Sequence, residues 1–467
     1  MSGLLTPQQI VEAALAASTA DGTIVVVQAG TEANVRWANN TVTTNGFATS
    51  LSWFVVAVSG GAAGTVAASA ASADSAAAVA EVVAAAHEAA KAAAQSGRAQ
   101  DEQPLIEPAN GPSQDFAAAP EPTSFAVFGE LLETLAAAFD SARSGERILY
   151  GFARHEMTTI YLGSSTGLRL RWVQPTGLLE LNAKSADLQR SAWSGISTAD
   201  FRGIDVNQVA AGLTTRLDWA SRTVELPPGR YDTVLPPTAG ADFIVYLAWS
   251  AGGRAAHEGR SAFSAPGGGT KIGQRLTERK LDLFSDPTAP GLASTPFLVA
   301  SSSGDEQSVF DNGAEVGRFD LLDQGVLRNL LHTRGSAAEF GATFVPSCDN
   351  LVLSGGTAGR SLDELVAGLG RGLLVTSQWY LREVDPMTML LTGLTRDGVF
   401  LVENGEITGA VNNFRFNVSP LDVLRQAADI GETVPTLSRE WSDWFTRTAM
   451  PPMLVEGFNM SSVSKAQ

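Results

Sequence analysis

Between Arg36 and Asp74 no residue carries a charge. So long an uncharged stretch either spans a membrane or is spent on buried strands. A helix in lipid needs about 20 mostly apolar residues in a row. Here Asn39, Asn40, Thr41, Thr43, Thr44 and Asn45, with many Ser and Gly, interrupt the run, so short strands fit better. Runs rich in β-branched residues lie at Thr23–Gln28, Ala33–Trp37, Thr41–Thr44 and Thr49–Val58. The pairs Asn39-Asn40, Asn45-Gly46 and Gly60-Gly61 punctuate them as turns, and one more strand follows the last. Residues 7–18 read as a helix with Thr6 as N-cap and Pro7 at the first helical position. Asp74–Ala94 is Ala-rich and favours helix throughout. The prediction for residues 1–96 is a helix, an antiparallel meander and a second helix.

Residues 97–124 mix Pro, Gln and acidic side chains without periodicity and read as a linker. Residues 125–225 form a second α+β module: an amphipathic helix at Phe125–Ala142, a β-rich stretch from Ile148 to about Ser197, and a helix at Val206–Ala220. From 226 to 467 a larger β-rich domain of Gly-rich turns and short strands is expected, giving an α+β protein overall. Its tail, with Trp441, Trp444 and the apolar run Met450–Val455, offers a surface to the body of the protein or to a partner.

A chain of 467 residues exceeds what one core supports, and two or three domains are expected. With 44% hydrophobic and 17% charged residues, it has the composition of an ordinary folded protein. Its net charge of −17, without a dense basic run, argues against nucleic-acid binding, which needs a Lys/Arg patch. The start, Met1-Ser2-Gly3-Leu4-Leu5-Thr6-Pro7, has no basic segment followed by an apolar one, so no signal peptide is visible. The single cysteine, Cys348, excludes an internal disulfide and fits a reducing cytoplasm.

Candidate chemistry is sparse. The four histidines are His87, His155, His257 and His332, and the first three precede a glutamate. A zinc-peptidase helix needs a second histidine about one turn further on. Position i+4 holds Lys91, Thr159 and Ser261, and i+5 holds Ala92, Ile160 and Ala262, so surface or cap roles are expected. Gly163-Ser164-Ser165-Thr166-Gly167 matches G-x-S-x-G, but strand-like flanks make it a hairpin rather than a nucleophile elbow. Gly267–Lys271 departs from the phosphate-loop order, and Gly368–Gly372 precedes a strand instead of following one, so both read as turns. Cys348 has no histidine within fifteen residues. No catalytic or cofactor-binding residue emerges from the residues themselves.

From Gly229 onward the order of segments resembles the C-terminal domain of the TldD/PmbA family. The lead-in Gly229-Arg-Tyr-Asp-Thr-Val-Leu-Pro-Pro-Thr-Ala-Gly240 is similar to the strand and turn before the family's metal helix. Ser261-Ala-Phe-Ser264 with Lys271-Ile-Gly273 resembles the next stretch. Gly291-Leu-Ala-Ser-Thr-Pro-Phe297, Arg371-Gly-Leu-Leu-Val-Thr376 and Phe400–Ile407 with Val411 look specifically PmbA-like. Catalytic TldD-type members carry H-E-x-x-x-H on that helix and a late cysteine ligand. Counted from Leu235, the motif falls on Val245–Ser250: Val245 and Ser250 replace the histidines and Tyr246 the glutamate. No cysteine follows Cys348, and His257-Glu258 lies twelve residues too late.

The resemblance therefore implies a PmbA/TldE-like subunit without metal or catalytic residues, paired with a TldD-like zinc metallopeptidase. Zinc is expected in the partner only. The two subunits would enclose a cavity for unfolded peptides, which suit exposed sheet edges because a peptide can add as another strand. Two alternatives stay open: a peptidase rebuilt around His257, Glu258 and another histidine, or a stand-alone peptide-binding homodimer.

Overall fold

A computed structural model describes residues 3–109, 113 and 115–464. Helix α1 (Pro7–Ala17) starts where expected: the Thr6 hydroxyl accepts from the Gln9 amide at 3.2 Å, and the Gln9 side chain accepts from the Thr6 amide at 2.9 Å. Strands β1 (Gly22–Ala38), β2 (Thr41–Ser59) and β3 (Ala62–Ser69) follow, then α2 (Ala76–Ala94). After residues 97–124 come α3 (Gly129–Ser144), β4 (Arg147–Ser164), β5 (Arg169–Ser185), β6 (Ser191–Thr198) and α4 (Val206–Trp219). The segments read as two modules thus contribute to one antiparallel sheet, ordered β3-β2-β1-β4-β5-β6.

This sheet explains the lack of charge over residues 53–57, the buried run of the uncharged stretch. On one face Val25, Val27, Trp53 and Val55 pack against Ile10 and Val11 of α1 and Val79 and Val83 of α2. On the other, Ile24, Val26, Phe54 and Val56 meet Phe297, Val309 and Phe310 from the C-terminal domain. Both faces are covered here, so neither set of alternating positions tolerates a charge. Gly64 lets β3 approach α2 closely: an added Cβ would lie 2.2 Å from the Ala90 amide nitrogen.

Several sequence expectations need correction. The paired short runs are single long strands, β1 and β2, and Asn45-Gly46 is no turn: Asn45 faces Val35 and Gly46 faces Asn34 in one ladder. The continuous ladder overrides the turn-forming dipeptide, and residues 41–50 are mostly exposed, so no burial alternation marks them as strand. The Asn39-Asn40 turn does form, with φ of 52° and 57°, as a tight hairpin requires. His155 is buried rather than superficial. Its Nε2–H donates to the Ala199 carbonyl at 2.8 Å, leaving Nδ1 to accept from the Thr123 hydroxyl at 2.6 Å. His332 is likewise buried. The described part of 97–124 has no helix or strand, yet Thr123, Leu105 and Ile106 fasten it to the sheet.

The C-terminal domain opens with β7 (Thr223–Val224), β8 (Gly229–Leu235), α5 (Pro237–Trp249) and α6 (Gly253–His257). Next come β9 (Asp282–Ser285), β10 (Phe319–Asp323), β11 (Val326–Leu327), α7 (Arg334–Phe340), β12 (Leu351–Ser354) and α8 (Leu362–Gly368). Strands β13 (Arg371–Val375), β14 (Gln378–Asp385), β15 (Leu390–Thr395), β16 (Val399–Glu403), β17 (Glu406–Val411) and β18 (Phe414–Val418) lead to α9 (Pro420–Gln426). The chain closes with β19 (Ala427–Ile430), β20 (Val434–Thr436), β21 (Thr448–Met450) and β22 (Met453–Val463). The larger sheet runs β14-β15-β18-β22-β8-β13-β16-β17-β7, with β19 beside β22, and the smaller runs β11-β10-β9-β12-β21-β20. Helix α5 is wedged into the core: Phe243 lies 5.7 Å from Phe416 and 5.9 Å from Phe458 between ring centroids. Each such buried ring contributes roughly 1.5–3 kcal/mol. Among the described residues no helix is long and apolar enough to cross a membrane.

Candidate functional site

The positions that the resemblance sets against the metal motif, Val245, Tyr246 and Ser250, fall on α5 and its C-cap, and Pro237 starts that helix at its first position. Val245 is fully buried in the C-terminal core, with only a hydrocarbon side chain to offer. Tyr246 is half-buried, its ring 6.0 Å from that of Trp441. Burial, reinforced by the Glu383 carboxylate, pushes its hydroxyl up to about 12, so it stays protonated and cannot serve as a base. Ser250 donates its hydroxyl to the Tyr246 carbonyl at 2.9 Å, closing the helix end. One position is thus an aliphatic core residue, one an aromatic contact and one a helix cap. This set does not fit zinc, which takes thiolate, imidazole or carboxylate ligands.

Polar packing holds this helix in place. Asp242 is fully buried; its carboxylate accepts from the Ser438 hydroxyl at 2.6 Å and the Glu440 amide at 3.1 Å, while the second oxygen has no partner. Burial pushes its carboxyl up to about 7, although those hydrogen bonds favour the charged form. Trp441 donates from Nε1 to the Asp242 carbonyl at 2.8 Å and packs edge-on against Trp249 at 5.1 Å. Glu440 accepts from the Tyr380 and Leu381 amides at 2.8 and 3.0 Å, pinning edge strand β14 where Tyr380 has a φ of 60°. The tail therefore packs on the body through Trp441, and Trp444 remains 72% exposed.

The other sequence candidates lie in different places. His257 ends α6, a separate short helix, and stacks on Phe340 at 4.4 Å and 5°. The fold brings His332 beside it, with ring centroids 5.5 Å apart, a pairing the sequence spacing could not show. His332 shares a hydrogen bond through Nδ1 with the Ser336 hydroxyl at 3.1 Å, and its Nε2 has no partner. Burial, with His257 and Arg254 nearby, pushes it down to about 4, so its ring is neutral near pH 7. Glu258 does not join them: Arg260 and Arg254 reach its carboxylate at 2.9 and 3.4 Å and hold it below the usual range. Among the described residues no group of three or more His, Cys, Asp or Glu is placed to hold a metal ion.

Cys348 is half-buried against the core, and burial pushes its thiol up to about 12, far from the thiolate a nucleophile or metal ligand requires. Gly163–Gly167 closes the β4–β5 hairpin. The Ser165 hydroxyl there accepts from the Thr23 amide at 3.0 Å, and the Ser164 hydroxyl from the Leu168 amide at 3.2 Å. In the Gly267–Lys271 loop, Lys271 donates to the Ala262 carbonyl at 2.6 Å, and Gly368–Gly372 joins α8 to β13.

The family model for the PmbA/TldA metallopeptidase C-terminal domain matches residues 228–462, and that for PmbA/TldA metallopeptidase domain 1 matches residues 24–93. No curated protein matches the chain. Among solved structures, TldE from Thermococcus kodakarensis superposes with a TM-score of 0.76 at 15% identity, over 97% of this chain and 99% of that one. A putative modulator of a DNA gyrase from Thermotoga maritima gives 0.71 at 17% identity, over 94% and 95%. A putative modulator of DNA gyrase from Bacteroides thetaiotaomicron gives 0.75 at 14%, over 98% of both chains. These low-identity likenesses establish the fold, and the C-terminal match, spanning half the sequence, establishes that the chain belongs to the PmbA/TldD metallopeptidase family.

Proposed function

We propose that this protein is a metal-free, TldE-type subunit that pairs with a TldD-like zinc metallopeptidase and helps wall the chamber in which unfolded peptides are cut. One observation carries this reading: the family scaffold is retained while the metal helix presents Val245 to the core, Tyr246 to Trp441 and Ser250 to its own backbone. The partner would supply zinc and polarise the scissile carbonyl. Strand β14 ends the larger sheet beside α5's C-terminal half and, apart from the Tyr380 and Leu381 amides taken by Glu440, gives an extended peptide an edge to join. The cytoplasm is the proposed compartment, in keeping with the lone Cys348.

The chain is expected to purify without stoichiometric zinc and to cleave no unfolded peptide alone. Co-expressed with a TldD-like protein carrying H-E-x-x-x-H, it should co-elute with that protein and raise its peptidase activity. Two separate peaks on size exclusion, with activity unchanged on mixing, would refute the pairing. The His257–His332 juxtaposition favours, as a second reading, a peptidase rebuilt around those rings. About one zinc per chain, with chelator-sensitive cleavage by the isolated protein, would establish that reading instead.

A further inference from the structure

The chain carries a net charge of −17, yet the charged groups lining one of its cavities are mostly cations. It measures about 730 Å³ and lies where β4, β5 and the β5–β6 turn meet β16 and β17, so both domains wall it. Lys184 and Arg190 enter from the N-terminal sheet, and Arg396 and Arg439 from the C-terminal domain. Among the described residues Asp397 is the one carboxylate in the lining.

Asp397 does not neutralise this set. It accepts from the Ser191 hydroxyl and from Arg439 Nη2 at 2.9 Å, with Arg396 Nε 3.6 Å away. Burial opposes its ionisation, but those partners outweigh it and hold the carboxyl below its usual value, so it contributes a single negative charge. Arg439 Cζ lies 4.8 and 5.5 Å from the ring centroids of Trp193 and Trp379, and its Nη1 has no hydrogen-bond partner. Lys184 sits 5.7 Å over the Tyr150 ring, and Arg190 donates to the Leu217 carbonyl at 3.0 Å. Among the described residues neither forms an ion pair; Asp187, which senses Arg190, is exposed and outside the lining.

We propose that this cavity binds a small oxyanion ligand, one bearing two or more carboxylate or phosphate groups, across the junction of the two domains. Guanidinium forks and an ammonium group match such oxygens in geometry and charge. The volume falls in the range of small-molecule sites, roughly 300–1,000 Å³. In a strongly acidic protein a local surplus of cations works against the global field, which a purely solubilising surface would not require.

The test is titration calorimetry on the full chain with citrate as the carboxylate probe and pyrophosphate as the phosphate probe, at matched ionic strength. Saturable binding of at least one probe is expected, and the stronger of the two identifies the ligand chemistry. Lys184→Gln and Arg396→Gln should each weaken it about tenfold, as loss of one charge-assisted contact implies. Both side chains are at least partly exposed and can be replaced without opening the core. Absence of saturable binding by both probes at millimolar concentration overturns the proposal. So does binding that both variants, with melting behaviour like the parent's, leave unchanged.

Discussion

Asp242→Asn isolates the energetics of helix α5. Asp242 is fully buried with one oxygen unpaired, and its carboxyl titrates near 7 rather than 3.8. A buried acid whose folded-state pKa lies above its unfolded value binds its proton more tightly when folded. Stability is then lost as pH rises through the window between the two values, and the full penalty is present above the folded pKa. With 3.8 for the unfolded chain and about 7 for the folded one, linkage gives a penalty of about 2 kcal/mol at pH 5.5 and about 4 kcal/mol at pH 8. Asparagine keeps an oxygen for the Ser438 and Glu440 donors and does not titrate. Relative to the parent, the variant should therefore gain about 2 kcal/mol between pH 5.5 and pH 8. Comparing variant with parent at each pH cancels the other titrating groups. Urea unfolding followed by tryptophan emission is the assay, since Trp441 donates to the Asp242 carbonyl and reports this region. A stability difference equal at the two pH values, or one moving the other way, would refute the buried-acid argument.

Three further substitutions probe the neighbouring groups. His257→Ala and Glu258→Ala should each leave peptidase activity of the reconstituted complex within a few-fold of the parent, because Glu258 is held by arginines and His257 by Phe340. Abolished cleavage in a complex that still assembles and melts normally would make them functional. Gly253→Ala would place a Cβ 2.0 Å from His332 Nε2, against a ring that is buried and tethered to Ser336, and should destabilise by about 1–3 kcal/mol. An unchanged urea midpoint at unchanged slope would show that the ring yields freely.

Local chemistry was the legible part of this sequence. The Thr6 cap, the Asn39-Asn40 hairpin and the G-x-S-x-G turn are each decided within a few residues, and all three form. Asn45-Gly46 was misleading because a local turn preference competes with a long hydrogen-bonded ladder, whose strength depends on partners elsewhere in the chain. The burial of His155 depends on Thr123 and Ala199, and that of His332 on the approach of Gly253; neither histidine's own neighbours in sequence carry that signal. Asp242 reads as an ordinary residue in a helical run until Ser438 and Glu440 close over it from the far end of the chain. The four cations of the junction cavity come from three distant stretches of chain, so no motif announces them.

The position of β22 governs when the larger sheet can come into being. It lies between β18 and β8, pairing Met453 with Leu235 and Phe416 with Met460. During synthesis β8 emerges before both its neighbours, β13 and β22, so one of its edges stays unpaired even after β13 is made. The N-terminal sheet closes through nearer neighbours and can mature on the ribosome, whereas this core is completed by the last of the described strands. Loop closure over so long a separation makes that step slow and leaves β8 open to wrong pairings meanwhile. A chain cut before Met453 would therefore lose the strand that joins the two halves of its sheet, rather than a dispensable end.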